Sequence, residues 1–217
     1  GVAPGTKKGV VLPMNSNDLS KAQTLIESDT ITNTRNDTQP ALGRVSVDGD
    51  IEMPADYMSS GYMFKALFGD PKTTGTAPNK THVFTVKDTQ PSIIVEKAFP
   101  VLNKYVRYKG VKINTFSVDY GQDNEMTFKF NVMGASREQD GTAYDSAAKA
   151  AKLLRIAQNH AYVKIDGTES RIVKEGSLEI NANLDGDQYV VGGGGLRGDI
   201  PEGLMKVSGS LKALFIS

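Results

Sequence analysis

The chain has no cysteine and no tryptophan, and only two of its 217 residues are histidine. Without cysteine there can be no disulfide framework, no thiolate metal site and no thiol nucleophile. His82 and His160 each lack a second ligand at the spacing a metal site needs. A Ser-His-Asp catalytic group would have to use one of them, yet no Gly-x-Ser-x-Gly elbow occurs. An excess of one charge is also missing: 25 Lys and Arg balance 25 Asp and Glu. A nucleic-acid binder's basic surplus is therefore absent, and a chain with no net charge is prone to associate near neutral pH. Long apolar runs are lacking too, so no segment spans a bilayer, and the first residues do not form a secretory h-region. These absences lead us to expect a soluble protein made in a cytoplasm, with no cofactor, no metal and no enzymatic activity.

What is present is alternation. From Lys112 to Ala135 two alternating runs flank the turn Gly121-Gln122-Asp123-Asn124. Met126, Phe128, Phe130 and Val132 fall on one face of a strand, and Glu125, Thr127, Lys129 and Asn131 on the other. In the first run the apolar positions change parity, from Val111 and Ile113 to Phe116, Val118 and Tyr120. One extra residue near Asn114 or Thr115, a β-bulge, explains the change and predicts a bent sheet. Arg44–Glu52 alternates as cleanly, with Val45, Val47 and Ile51 opposed to Arg44, Ser46, Asp48, Asp50 and Glu52. Leu178–Leu184 and Val207–Phe215 supply two further amphipathic strands.

The remaining segments fill in a mainly β chain. Residues 1–41 hold few large apolar side chains and read as an extended arm, leaving 42–217 as the β domain. Tyr57–Phe68 shows helical spacing, with Gly69 placed to stop it. Gly69–Thr81 reads as a loop without apolar anchors, followed by strands at His82–Val86 and Ser92–Phe99. Asp145–Gln158 has an Ala-rich helical composition or forms an ordered surface loop. Ala161–Ile165 alternates before an Asp166-Gly167 turn. The fold class expected is an antiparallel β-sandwich or barrel-like subunit with one or two short helices, an N-terminal arm and long loops.

The remaining short motifs have bland readings. Gly192–Gly195 lacks the Gly-Lys-Ser/Thr of a phosphate loop and reads as a flexible connection. Arg197-Gly198-Asp199 spells an adhesion tripeptide in a chain with no sign of secretion. Asp48-Gly49-Asp50 and Asp185-Gly186-Asp187 lack the spaced oxygens of a calcium loop and read as turns. A carbohydrate-binding sandwich would group exposed aromatics on one face, against which stand the absence of Trp and eight scattered Tyr.

In order, the segments ALFG (Ala66–Gly69), THVFTV (Thr81–Val86), YKGVKINTFSVDYGQDNEMTFKFNVMG (Tyr108–Gly134), SLEINANLD (Ser177–Asp185) and RGDIPEGLMKVSGSLKALF (Arg197–Phe215) resemble the tail tube proteins of long-tailed bacteriophages. The likeness covers residues 42–217, apart from the stretch Gln139–Asn159. It implies a structural subunit of the virion that closes into six-membered rings, stacked into the tube that conducts DNA into the host cell. Implied partners are further copies of itself, other tail proteins such as the tape measure and terminator, and DNA that passes without specific binding. Related expectations are a tail terminator or the tube subunit of a contractile device. On this resemblance Asp119, Glu125, Thr127, Asn131, Glu179 and Asn181 are expected to face the channel. Leu25, Ile26, Ile31, Lys72 and Thr74 are expected to touch the next ring.

Overall fold

The computed structural model describes residues 8–36, 38–121, 125–157, 162–170 and 172–215. In chain order the elements are β1 (Val10–Val11), β2 (Ser16–Asn17), β3 (Ser20–Ile26), β4 (Ala41–Pro54), α1 (Ser60–Phe68), β5 (Lys72–Thr76), β6 (Asn79–Val83) and β7 (Ile93–Phe99). They continue with β8 (Lys104–Tyr120), β9 (Thr127–Gly134), β10 (Ser136–Asp140), β11 (Lys149–Ala150), β12 (Val163–Ile165), β13 (Thr168–Ser170), β14 (Val173–Asn181) and β15 (Lys206–Ala213). The chain is mainly β and its large sheet is antiparallel, as the alternation predicted.

The strand β8 organises everything else. Its second half lies in a large sheet of order β15-β14-β8-β9-β4, closed at the far margin by β2 and β3 on β4. Its first half pairs with β7 on one side and β10 on the other. The two halves meet at Gly110, which takes φ +65° inside the strand, a left-handed conformation that side chains with a Cβ rarely adopt. Three residues on, the register between β8 and β9 slips between Ile113 and Thr115, so the predicted bulge is there. The extra residue, Asn114, is put to use: its carbonyl accepts the N–H of Ala182 at 2.8 Å and its Oδ1 the N–H of Leu184 at 3.0 Å.

The core fills the space between the large sheet, the β7-β8-β10 layer and α1. Val47, Val111, Ile113, Phe130 and Val132 are fully buried there. From α1, Phe64 meets Phe116 edge-on at 5.2 Å and Phe128 at 5.6 Å, a geometry that suits the ring quadrupoles. The helix begins where Asp56 accepts the N–H of Met58 and Ser59, both at 2.6 Å, and ends at Gly69, as its sequence predicted.

Several segments differ from their sequence reading. Gly69–Thr81 is not a bare loop: Lys72–Thr76 and Asn79–Val83 pair as a hairpin, all of it exposed, because threonine-rich strands satisfy each other's backbones without a core. The strand expected to run to Val86 stops at Val83, and Phe84 turns in against Phe64 and Phe68. Of the two readings of Asp145–Gln158, the ordered loop is the one adopted by its described residues. Having no apolar stripe to bury, it pairs Lys149–Ala150 with Val10–Val11 and follows Ala55–Tyr57 at Leu154–Ile156. Asp48-Gly49-Asp50 is strand interior and not a turn.

Residues 16–26 belong to the large sheet through β2 and β3, and Leu19 between them is only 1% exposed. The described residues of the connection 27–40 that follows are almost all exposed. Residues 122–124 of the central hairpin's turn, and His160 and Ala161, lie outside the described residues.

Candidate functional site

Cross-strand pairing turns single-strand alternation into a surface. On the side of the large sheet away from α1, one row runs Lys206, Asn181, Thr115, Asn131, Asp50. The next runs Ser208, Glu179, Ser117, Lys129, Glu52 and Ser16. A third holds Ser210, Ser177 and Asp119, with Thr127 at the start of β9 on the same face. Of the six residues singled out from sequence, Asp119, Thr127, Asn131, Glu179 and Asn181 are thus brought together on one face. Glu125 stands apart: it precedes β9 and pairs with Arg155 at 2.9 Å.

This face is small, polar and acidic. Asn131 Nδ2 donates to Asp50 Oδ1 at 2.7 Å, and the hydroxyls of Ser177 and Ser210 lie 2.8 Å apart. Lys129 sits 3.5 Å from Asp50, and Lys212 3.4 Å from Glu175, which extends the face by one more pair. Five carboxylates, those of Asp50, Glu52, Asp119, Glu175 and Glu179, stand against the three ammonium groups of Lys129, Lys206 and Lys212. Two net negative charges remain. The acidic members were visible in the sequence, but the meeting of Lys129 with Asp50 depends on the β4–β9 register, which no single strand reveals.

Below the bulge the same face is covered by residues 182–204. Ala182, Leu184 and Ile200 pack with Met133 into a second, smaller apolar cluster. Arg197 pins this segment: its guanidinium holds both carboxylate oxygens of Asp48, at 2.8 and 3.0 Å, and donates to the carbonyls of Gly186, Val47 and Gly134. With its side chain buried in these bonds, Arg197 is not presented as part of an adhesion tripeptide. Lys112 fixes the segment's other end, donating to Glu202 and to the carbonyl of Ile200, each at 2.8 Å. Burial opposes the Glu202 carboxylate, yet Lys112 and the Gln90 N–H outweigh it and hold its pKa below the ordinary value.

The margins are the other notable surface. All eight residues of β15 are exposed, and among the described residues no strand pairs with its outer edge. Its apolar side, carrying Val207 (66% exposed) and Leu211 (55%), hangs beyond the core. Residues expected to touch a neighbouring ring sit on two protrusions. Leu25 and Ile26 end β3, and Ile31 (97% exposed) follows in the 27–40 connection. Lys72 and Thr74 lie on β5, in the exposed hairpin.

None of this resembles a catalytic centre. His82 is on that hairpin, its Nδ1 bonded to the Thr73 hydroxyl at 2.8 Å. Among the described residues no group of three or more His, Asp or Glu is placed to hold a metal. No described helix is long and apolar enough to cross a membrane.

The described chain is thus mainly β, with an exposed sheet margin and a broad polar face. The family model for phage tail tube proteins matches residues 1–217, and the chain belongs to that family. No curated protein matches it. It is accordingly a structural component of the virion tail and not an enzyme, and it assembles with itself and with other tail proteins.

Proposed function

We propose that six copies close into a ring, that rings stack into the tail tube, and that the polar face of the large sheet lines a channel through which DNA enters the host cell. The observation that carries this reading is β15, a long edge strand with no proline, an uncovered apolar side and, among the described residues, no partner on its outer edge. Such an edge invites pairing with any extended chain, and annular closure is the arrangement that removes it. The opposite margin, β3, is also unpaired on its outer side among the described residues, so one sheet can continue into the next.

The chemistry of the polar face supports its role as lining. A conduit must not grip its cargo, and each unpaired cation repeated around a ring would add a phosphate contact. Here two of the three lysines lie beside carboxylates and the net charge is negative. Asp119, Thr127, Asn131, Glu179 and Asn181 would then face the channel, with Glu125 near its rim. Leu25 and Ile26 at the end of β3, Ile31 in the connection that follows, and the 72–83 hairpin, with Lys72 and Thr74, would bridge successive rings. Tape measure and terminator proteins would be the further partners, and synthesis would take place in the host bacterial cytoplasm.

Negative-stain electron microscopy of the purified chain tests this directly. Hollow tubes with sixfold end views are expected; a protein that stays monomeric at millimolar concentration, or forms only solitary rings, overturns the reading.

A further inference from the structure

Two of the exposed apolar patches among the described residues lie on opposite flanks. One is the shelf formed by the apolar side of β14 and β15, with Leu178, Val207 and Leu211 outside the cover of α1 and the β7-β8-β10 layer. The other is the turn joining β7 to β8, where Pro100–Leu102 form a single 3-10 turn closed by Asn103 at φ 49°. Val101 there is 96% exposed, with Phe99 and Leu102 also open to solvent.

Strand order fixes where each patch sits. β15 is one margin of the large sheet, and β2 with β3 is the other. β7 lies over this second margin, because Lys97 Nζ donates to the carbonyls of Asn17 at 2.7 Å and Leu19 at 2.8 Å. The turn thus projects from the flank opposite the shelf. It also belongs to the layer that covers the apolar side of the large sheet, and that is the side on which the shelf is bare.

Resting on the ring reading above, we propose that the Phe99–Leu102 turn of one copy seats beneath the β14–β15 shelf of the next. Two different patches on opposite flanks make a head-to-tail contact, which repeats around a closed ring and does not stop at a dimer. Proline at the start of the turn and a left-handed residue at its end hold its shape before contact, so little ordering remains to be done on docking.

Because the chain has no cysteine, engineered thiols test this cleanly. Val101→Cys and Leu211→Cys would be made as separate variants, mixed, assembled and oxidised. Covalent dimers containing one chain of each are expected on non-reducing gels, with neither variant forming them alone. A Val101→Asp chain should keep its circular dichroism spectrum and lose roughly tenfold or more of its assembled fraction, as for a buried interface anchor.

Tubes that assemble without the mixed cross-link, or a Val101→Cys variant that links efficiently to itself, would overturn this contact and leave the ring reading standing. Failure of the unaltered chain to form any ring or tube removes the ring reading, and this contact with it.

Discussion

Leu19 lies so close over Gly49 that a Cβ on the glycine would fall 2.5 Å from the leucine's Cα and 2.6 Å from its backbone nitrogen. The N-terminal segment is therefore locked to the large sheet by the absence of a side chain, and by Lys97 reaching across to its carbonyls.

Gly49→Ala should expel Leu19 from the core. Losing a buried leucine costs about 2–5 kcal/mol, so chemical denaturation should show that loss. Trimming by protease within residues 8–26 should then be faster than in the unaltered protein.

Arg197→Met should free the 182–204 segment. Removing one member of a buried ion pair costs about 3–5 kcal/mol; the lower end applies here, since the Asp48 carboxylate keeps some contact with water. Hydrogen exchange should rise across 182–204 and at Val47 and Gly134, whose carbonyls the guanidinium now holds, with little change in α1.

Acid should weaken the same region. The folded pKa of Glu202 lies below its ordinary 4.5, so the stability it contributes is fully present above that value and lost as pH falls through the folded pKa. Asp140, bonded by Arg107, and Asp145, bonded by the Gly9 N–H, are depressed likewise and act in the same direction. Lys112→Met removes the cation that offsets the burial of Glu202 and should move the acid transition to higher pH. A circular dichroism titration of the two proteins checks this, and coincident curves would refute it.

Reversing charge on the polar face should turn a slippery surface into an adhesive one. Asp119→Lys with Glu179→Lys changes the face from two net negative charges to two net positive charges per copy. Tubes of this variant should retain short duplex DNA at least ~10-fold more strongly than unaltered tubes at low salt, and the difference should vanish as salt rises. Anisotropy of labelled duplexes across a salt series measures it.

The sequence was most informative where a side chain had to choose between two faces. The parity change around Asn114 foretold the bulge because the apolar residues on either side cannot both face the core without it. The hairpin of β5 and β6 was hidden because its strands bury nothing, so Thr, Lys and Asn leave no periodic trace. Leu19 was hidden for a different reason: one apolar residue between Asp18 and Ser20 has no pattern, and its burial is decided by Gly49 thirty positions away in sequence. The polar rows were half legible. Alternation assigned Asp119, Thr127, Asn131, Glu179 and Asn181 to their faces, but only register could set Glu179 beside Ser117 and bring Lys129 to Asp50. Glu125 was carried along by the alternation of β9, which begins two residues later.

The passage of β8 through both layers has a mechanical consequence. Its 17 residues run without interruption from the small sheet into the large one. Strain applied to either layer therefore reaches the other along covalent bonds, and not only across a greasy boundary that can slide. A flexing appendage built from such units would bend at the joints between them and keep each unit's shape.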